Sequence, residues 1–506
     1  MRLNSTRRHG LRSTLVFSIL GLAGCGLGTV KPDTETDIPE AFRASAASAP
    51  AAWPVDGWWQ GFGSPELNAL IEQARARNFD IAAAVARVAQ ADAQVRIAGA
   101  ALLPVINGTS SATWQHFGLG TGSSAARSRA GGGGNASVDQ RTYGVGLSAS
   151  YELDFWGRNL ARRQSAVATA MFSRFDQRTV ALTVTANVAN TWFTALALAD
   201  RLAVARHNLA DGEQTLAVIR GRMAAGTASA LDVAQEEALV AGERATIPSL
   251  ENQREQAIIA LGILTGQPPE RLTVKPGTLT ALKLPPVAPG LPSALLERRP
   301  DVAAAEAQLT AAGYDVKGAR AAFYPAIALT GSAGYQAAAL NALINPGGAI
   351  VSLAASLTAP IFDGGTLRGQ LEQAKGRQAE LLADYRKSVV QAFTDVDTAL
   401  TAWRFTTEQE RLQALAVEAA RRAAAIARQQ MLAGTVDIVV VLTAETTLFN
   451  ASDNLAQVRL ARFQALLNLY KAMGGGWTRA AADSFPGLSP GMLPGGMALP
   501  IGRNRQ

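Results

Sequence analysis

The sequence is poor in the side chains that redox and metal chemistry require. It has one cysteine, Cys25, and three histidines. A single thiol excludes any intramolecular disulfide. His9 lies in a leader expected to be removed, which leaves His116 and His207, and no His/Asp/Glu group has metal-site spacing. No Ser/His/Asp machinery can be assembled. Asp395/Asp397 and Glu236/Glu237 read as solvated helix faces, so neither catalysis nor a cofactor is expected. Aromatic residues make up only 6% of the chain while alanine is abundant, which suits closely packed helices better than a large globular core. A nucleic-acid partner is excluded too. Of the net charge of +7, four units come from Arg2, Arg7, Arg8 and Arg12 in residues 1–24, leaving 7 − 4 = 3, and no basic patch with interleaved aromatics occurs. Proline is also missing, from the whole stretch between Pro104 and Pro248.

That proline-free stretch contains the organising feature. From Tyr143 to Phe155 every odd position is apolar (Tyr143, Val145, Leu147, Ala149, Tyr151, Leu153, Phe155) and the even ones are Gly, Ser, Glu or Asp. Strict period two over thirteen residues gives a strand with one greasy and one small, polar face. It is long enough for the ~9–11 tilted residues of a membrane-spanning barrel strand. After Trp156-Gly157-Arg158 the period becomes helical, with Val184, Val188, Trp192 and Leu196 at steps of four. A helix over 157–223 spans roughly 100 Å at 1.5 Å per residue.

The chain starts with Arg-bearing residues and a short apolar run, Leu15–Leu20, too short to span a membrane as a helix and suited to a secretory leader over 1–24. Leu22-Ala23-Gly24-Cys25 directly after it resembles the bacterial lipoprotein cleavage box, which implies acylation of Cys25. A polar tether follows over 25–52. Trp53, Trp58, Trp59 and Phe62 form an aromatic cluster expected to clamp the N-terminus to the body. Helices are expected after Ser64-Pro65-Glu66 and over Phe79–Leu103, then a strand over 105–117 and a Gly/Ser-rich loop over 118–137. The loop lacks the Lys-Ser/Thr and framing elements of a phosphate cradle.

The pattern then repeats. Leu102-Leu103-Pro104 is echoed by Phe323-Tyr324-Pro325, and Met223-Ala224-Ala225-Gly226-Thr227 by Met431-Leu432-Ala433-Gly434-Thr435. The spacings from Gly157 to Met223 and from Gly364 to Met431 are 66 and 67 residues, which marks an internal duplication. A first repeat is expected over 53–292, with strands 105–117 and 143–155, long helix 157–223 and return helix 229–264. A second is expected over 293–477, with strands 326–336 and 350–362, long helix 364–431 and return helix 436–473; residues 478–506 form a tail. A return helix plus a pre-strand helix has about the length of one long helix, so two stacked short helices can lie beside each long one. Four strands cannot close a membrane barrel, since single-chain barrels start at about eight; three copies supply twelve.

The hairpin turns, Arg220–Asp232 and Met431–Thr443, are the candidate functional ends. Trp58-Trp59, Glu297-Arg298-Arg299-Pro300-Asp301, Ala319–Pro325, Ala433-Gly434-Thr435, Thr446–Ala451 and Gly474-Gly475-Gly476-Trp477 together resemble TolC-like outer-membrane efflux proteins, specifically the lipoprotein OprM/NodT type, over about 53–477. The resemblance implies an α+β membrane protein. It would be a homotrimer with four strands per protomer in a 12-stranded outer-membrane barrel, a long helical periplasmic barrel and a mixed equatorial domain. It implies a passive exit duct for drugs or other small molecules, joined by a periplasmic adaptor to an inner-membrane transporter of the RND type. The adaptor would dock at Gly226, Thr227, Gly434 and Thr435. The family's aspartate ring at the closed aperture is not matched, because Val440 and Thr443 stand at those positions. Two expectations remain for the gate: a substitute acidic ring from Asp232 and Asp437, or an apolar constriction at Val440. The competing functional readings are a type I protein-secretion duct and a periplasmic adaptor lipoprotein; an adaptor has one hairpin, whereas this chain has two.

Overall fold

A computed structural model describes residues 38–39, 41–43, 52–118, 137–286, 290 and 292–479. The leader, Cys25, most of the tether and the tail after 479 lie outside them. Two compact units form, one from the described parts of 100–162 and 314–372, the other from the rest. The units cut across the two repeats, because each repeat contributes strands to the first and helices to the second.

The first unit is a four-stranded antiparallel sheet in the order β1 (Val105–Gly118), β2 (Ser137–Leu153), β3 (Ala326–Ala337), β4 (Ala349–Thr358). Register decides the chemistry of its faces. Leu147 pairs with Gly108 and Ala333, and Ala333 with Val351; Leu153 pairs with Ile327, and Ile327 with Leu357. Directly paired residues share a face, so the apolar sets of all four strands coincide. Val351, Leu353 and Leu357 are 81, 86 and 68% exposed on it. The opposite face carries Asn107, Ser148, Ser332 and Ser352, where the Ser332 and Ser352 hydroxyls hydrogen-bond at 2.8 Å. Trp156 stacks on Tyr324 at 4.7 Å and donates its indole N–H to the Pro325 carbonyl at 2.8 Å.

Two strand ends differ from the expectation. Alternation continues to Phe155, yet β2 stops at Leu153, because the Asp154 carboxylate accepts from the Asn159 and Leu160 amides and starts the next helix. β4 stops at Thr358 rather than 362, since Pro360 has no N–H to give a ladder. β2 also begins earlier than expected, at Ser137.

The helices are α1 (Pro65–Arg77), α2 (Phe79–Ala100), α3 (Arg158–Ala224), α4 (Ala230–Thr265), α5 (Pro300–Ala321), α6 (Thr366–Leu432) and α7 (Ile438–Ala472). Duplication is plain in their lengths: α2 and α5 have 22 residues each, α3 and α6 have 67 each, and α4 and α7 have 36 and 35. Helix α4 runs through Pro248 without a break. Among the described residues no helix is long and apolar enough to cross a membrane.

The N-terminal aromatics clamp the second unit as expected. Trp58 stacks on Tyr470 of α7 at 4.9 Å, and Phe62 meets Phe193 of α3 at 5.0 Å. Phe62 and Phe193 are fully buried, each contributing about 1.5–3 kcal/mol of burial. A second core joins Leu295, Val302 and Leu309 to Tyr385, Val389 and Val396 of α6.

The return helices end on equivalent devices. Gly266 (φ 66°) closes α4, and a Cβ there would lie 2.2 Å from the Arg77 carbonyl oxygen; Gly474 (φ 83°) follows α7, and its Cβ would lie 1.8 Å from that of Arg298. Only glycine tolerates both the left-handed backbone and the approach. Two residues before each glycine, a helix carbonyl is tied to the residue that immediately precedes the pre-strand helix of the same repeat. Asn78 donates to the Leu264 carbonyl at 2.9 Å, and Arg299 to that of Ala472 at 3.3 Å.

Candidate functional site: the hairpin turns and their seam

Both expected turns form, and they are near copies. After α3 the Gly226 amide donates to the Met223 carbonyl at 2.9 Å and the Thr227 amide to that of Arg222 at 2.8 Å. After α6, Gly434 donates to Met431 at 3.0 Å and Thr435 to Gln430 at 2.9 Å. This is the Schellman arrangement, with Gly226 (φ 75°) and Gly434 (φ 71°) in the left-handed position that favours glycine. Each threonine hydroxyl donates to the carbonyl its own amide uses, at 3.1 Å for Thr227 and 3.0 Å for Thr435. Nothing lies within 4 Å of a Cβ built at either glycine. The turns are therefore shaped by their own backbone and threonine hydroxyls and present open surface.

The starts of the return helices differ. Ser229 and Asp232 form a reciprocal capping box on α4: the Asp232 amide donates to Ser229 Oγ at 3.2 Å and the Ser229 amide to Asp232 Oδ2 at 2.7 Å. Asp437 caps α7 singly, accepting from the Val439 amide at 3.4 Å. Val440 stands where the first repeat has Asp232, and it is 47% exposed. Thr443 donates its hydroxyl back to the Val439 carbonyl at 2.7 Å. Both aspartates expected at the aperture are thus engaged as helix caps.

Behind the turns the two hairpins pack on each other. Leu216 and Ile219 of α3, Val233 and Val240 of α4, Ala427 and Met431 of α6, and Ile438 and Val441 of α7 form one core. Arg222 crosses the seam and donates to the Met431 carbonyl at 2.7 Å.

Deeper in the same seam lies a charge cluster. Arg428 of α6 pairs with Asp211 of α3 at 2.8 Å and with Glu445 of α7 at 2.6 Å. Glu445 also accepts from Thr215 at 3.1 Å, and Glu243 from Asn208 at 3.1 Å. Glu236 is fully buried, and neither of its carboxylate oxygens has a hydrogen-bond partner. Burial, then the Glu445 and Glu243 charges, pushes its pKa up to about 7 against the opposing pull of Arg428. Burial likewise raises the pKa of Glu243. The expectation that Glu236 sits on a solvated face is corrected here: only Glu237 does, half-exposed and paired with Arg220 at 2.6 Å. A signal was present in the spacing, since Glu236 and Glu243 fall on the same stripe as Val233 and Val240. Arg222, Asp211, Arg428 and Glu445 were not singled out from the sequence. Among the described residues no group of His, Cys, Asp or Glu is arranged to hold a metal ion.

Comparison with known proteins bears on the whole chain. It is 40% identical over 465 residues to the pyoverdine export outer membrane protein OpmQ of Pseudomonas aeruginosa, covering 92% of this chain and 96% of OpmQ. It is 28% identical over 477 residues to the "Probable outer membrane lipoprotein SilC" of Salmonella typhimurium, covering 92% and 99%. The solved structure of the outer-membrane channel OprN superposes with a TM-score of 0.80 at 28% identity, over 89% of this chain and all of that one. The fold is that of the TolC-like trimeric outer-membrane channels, in which the four-stranded sheets of three protomers give 3 × 4 = 12 barrel strands. Such a duct does no chemistry of its own and works with a periplasmic adaptor and an inner-membrane transporter. The family model described as "Outer membrane efflux protein" matches residues 70–267 and 291–475, and the chain belongs to that family.

Proposed function

We propose that this outer-membrane efflux channel is the exit duct for small molecules, with an adaptor docked on the Gly226-Thr227 and Gly434-Thr435 turns and an RND-type transporter behind it. The observation that carries the docking assignment is the duplicated turn: two copies of one backbone shape, each with an open Cβ position and no packing role. The 40% identity to a pyoverdine exporter favours a polar, metal-chelating peptide as one cargo. Cys25 is acylated and holds the N-terminus on the inner face of the outer membrane; the Leu22-Ala23-Gly24-Cys25 sequence and the likeness to SilC support this. No other cofactor is involved.

At the aperture, Val440 forms an apolar constriction. Its half-exposed side chain, beside the half-exposed Val439, supports this, and so does the use of Asp232 and Asp437 as caps. Single-channel conductance should rise in Val440→Ala and stay near the parent value in Asp437→Ala. A larger change in Asp437→Ala than in Val440→Ala would restore the acidic ring.

The cargo assignment is tested by comparing a deletion strain with its complemented counterpart. Susceptibility to antibiotics, dyes and detergents and the siderophore content of the medium would both be measured. Hypersensitivity or retained siderophore, corrected by the complementing gene, is the expected result. Normal values for both, with an unprocessed protein substrate trapped in the cell, would instead identify a protein-secretion duct. Mass spectrometry of the N-terminus, with Cys25→Ser as the control, checks the lipid.

A further inference from the structure

The seam between the hairpins holds more negative charge than it can neutralise. Asp211 on α3, Glu236 and Glu243 on α4 and Glu445 on α7 converge there, and Arg428 of α6 is the cation among them. Asn208 and Thr215 of α3 are the neutral donors. His207 is mostly exposed and stands 4.0 Å from Asp211, on the solvent side. Arg428 is committed to Asp211 and Glu445, and Asn208 to Glu243. Glu236 therefore receives nothing: it is 0% exposed with both oxygens unpartnered, and one oxygen of Glu243 and one of Glu445 are also unsatisfied. Its Oε1 lies 3.7 Å from the position a Cβ would take on Gly212, so it is pressed against the backbone of α3. An ionised carboxylate cannot remain in such a place without a partner, because the desolvation cost is not recovered. The missing ligand is a proton.

We propose that Glu236 is a proton-operated switch in this seam: protonated, it lets α3, α4, α6 and α7 close over it, and ionised, it drives the two hairpins apart toward water. For a carboxylate whose pKa is raised on packing, the packed state binds the extra proton. Packing is then strongest at low pH and weakens as pH rises from the unpacked value of 4.5 to the packed value of about 7. Since the Arg222 bond to the Met431 carbonyl spans the same seam nearer the turns, loosening at Glu236 releases the turn end as well. The consequence for conduction rests on reading these hairpins as the wall of the export duct.

The test is hydrogen exchange on the intact trimer at pH 6 and pH 8, each rate corrected for the intrinsic chemistry. With packed and unpacked values of about 7 and 4.5, the opening equilibrium should rise about tenfold between the two. In the wild type, the amides of 233–243 and 424–431 should exchange about tenfold faster at pH 8. In Glu236→Gln, a neutral isostere, the ratio should fall to about one. Glu236→Leu is the second variant should the first not assemble, and the same flat ratio is expected. Equal corrected rates in the wild type, or a tenfold ratio persisting in an assembled variant, would overturn the switch. Export measured in cells separates the two readings. A protein with the expected exchange but no export counts against the duct, and one with normal export but no pH dependence counts against the switch.

Discussion

Repeat 1 and repeat 2 end their return helices on the same backbone device and secure it with different side chains. Gly266 and Gly474 both adopt positive φ against a carbonyl from a distant part of the chain, those of Arg77 and Arg298. In the first repeat the adjoining carbonyl is held by Asn78, which also caps α2 by accepting from the Asp80 and Ile81 amides. In the second it is held by Arg299, whose guanidinium also pairs with Asp301 at 2.5 Å and Asp395 at 2.8 Å. Burial works against the Arg299 charge, but its Asp301 and Asp395 partners outweigh that and raise its pKa; burial likewise opposes the Asp301 charge, but the Arg299 guanidinium outweighs it and holds Asp301 below the usual carboxylate range. The turn ends show the same division. Their Schellman closures coincide, whereas a capping box on α4 faces a single cap and an exposed valine on α7. Duplication has kept the geometry that backbone requires and let the side chains diverge.

The comparison breaks most severely at the crowded glycines. Gly266→Ala and Gly474→Ala should each cost more than about 3 kcal/mol, since strain at positive φ is joined by a carbonyl clash. Loss of the assembled trimer or of the folded fraction in urea would show it. Next come the two carbonyl holders, which should separate the repeats. Arg299→Met leaves Asp301 and Asp395 without their cation and should cost about 2–3 kcal/mol, below the full buried-pair penalty because both acids are about one-third exposed. Asn78→Ala should cost only about 1 kcal/mol. Equal losses on denaturant unfolding would remove the distinction.

At the turns the expected effects on stability are smaller and those on binding larger. Gly226→Ala and Gly434→Ala meet no neighbour within 4 Å, so left-handed strain alone, about 1 kcal/mol, is expected. Adaptor binding, measured by surface plasmon resonance, should nonetheless fall at least tenfold if these turns are the docking points. Smallest is the cap comparison. Asp232→Ala breaks a two-bond box and should cost about 1 kcal/mol, against about 0.5 for the single cap of Asp437→Ala. Val440→Glu should recover some stability by completing a box in the second repeat.

The long helices and the duplication were legible because they depend on local patterns. An unbroken helical period without proline gave α3 and α6 to within one or two residues at each end, and the repeated Ala-Gly-Thr located both turns. Alternation found all four strands but overran β2 and β4, because apolar alternation continues through Phe155 and Ile361 after the ladder has ended. Glu236 was misread, since a carboxylate on a helix is normally solvated and only its register with Val233 and Val240 hinted otherwise. Asn78 and Arg299 reach carbonyls 186 and 173 residues away, beyond any local signal.

By itself the sequence determined the element lengths, the twofold repetition and the single apolar face of each strand, because periodicity, proline and glycine act on neighbouring residues. The tertiary structure decided the register that aligns those faces across the sheet, the carbonyls that exclude a Cβ at Gly266 and Gly474, and the enclosure of Glu236 by four helices. Each of these depends on surfaces brought together from distant parts of the chain, where distance along the chain carries no information about distance in space.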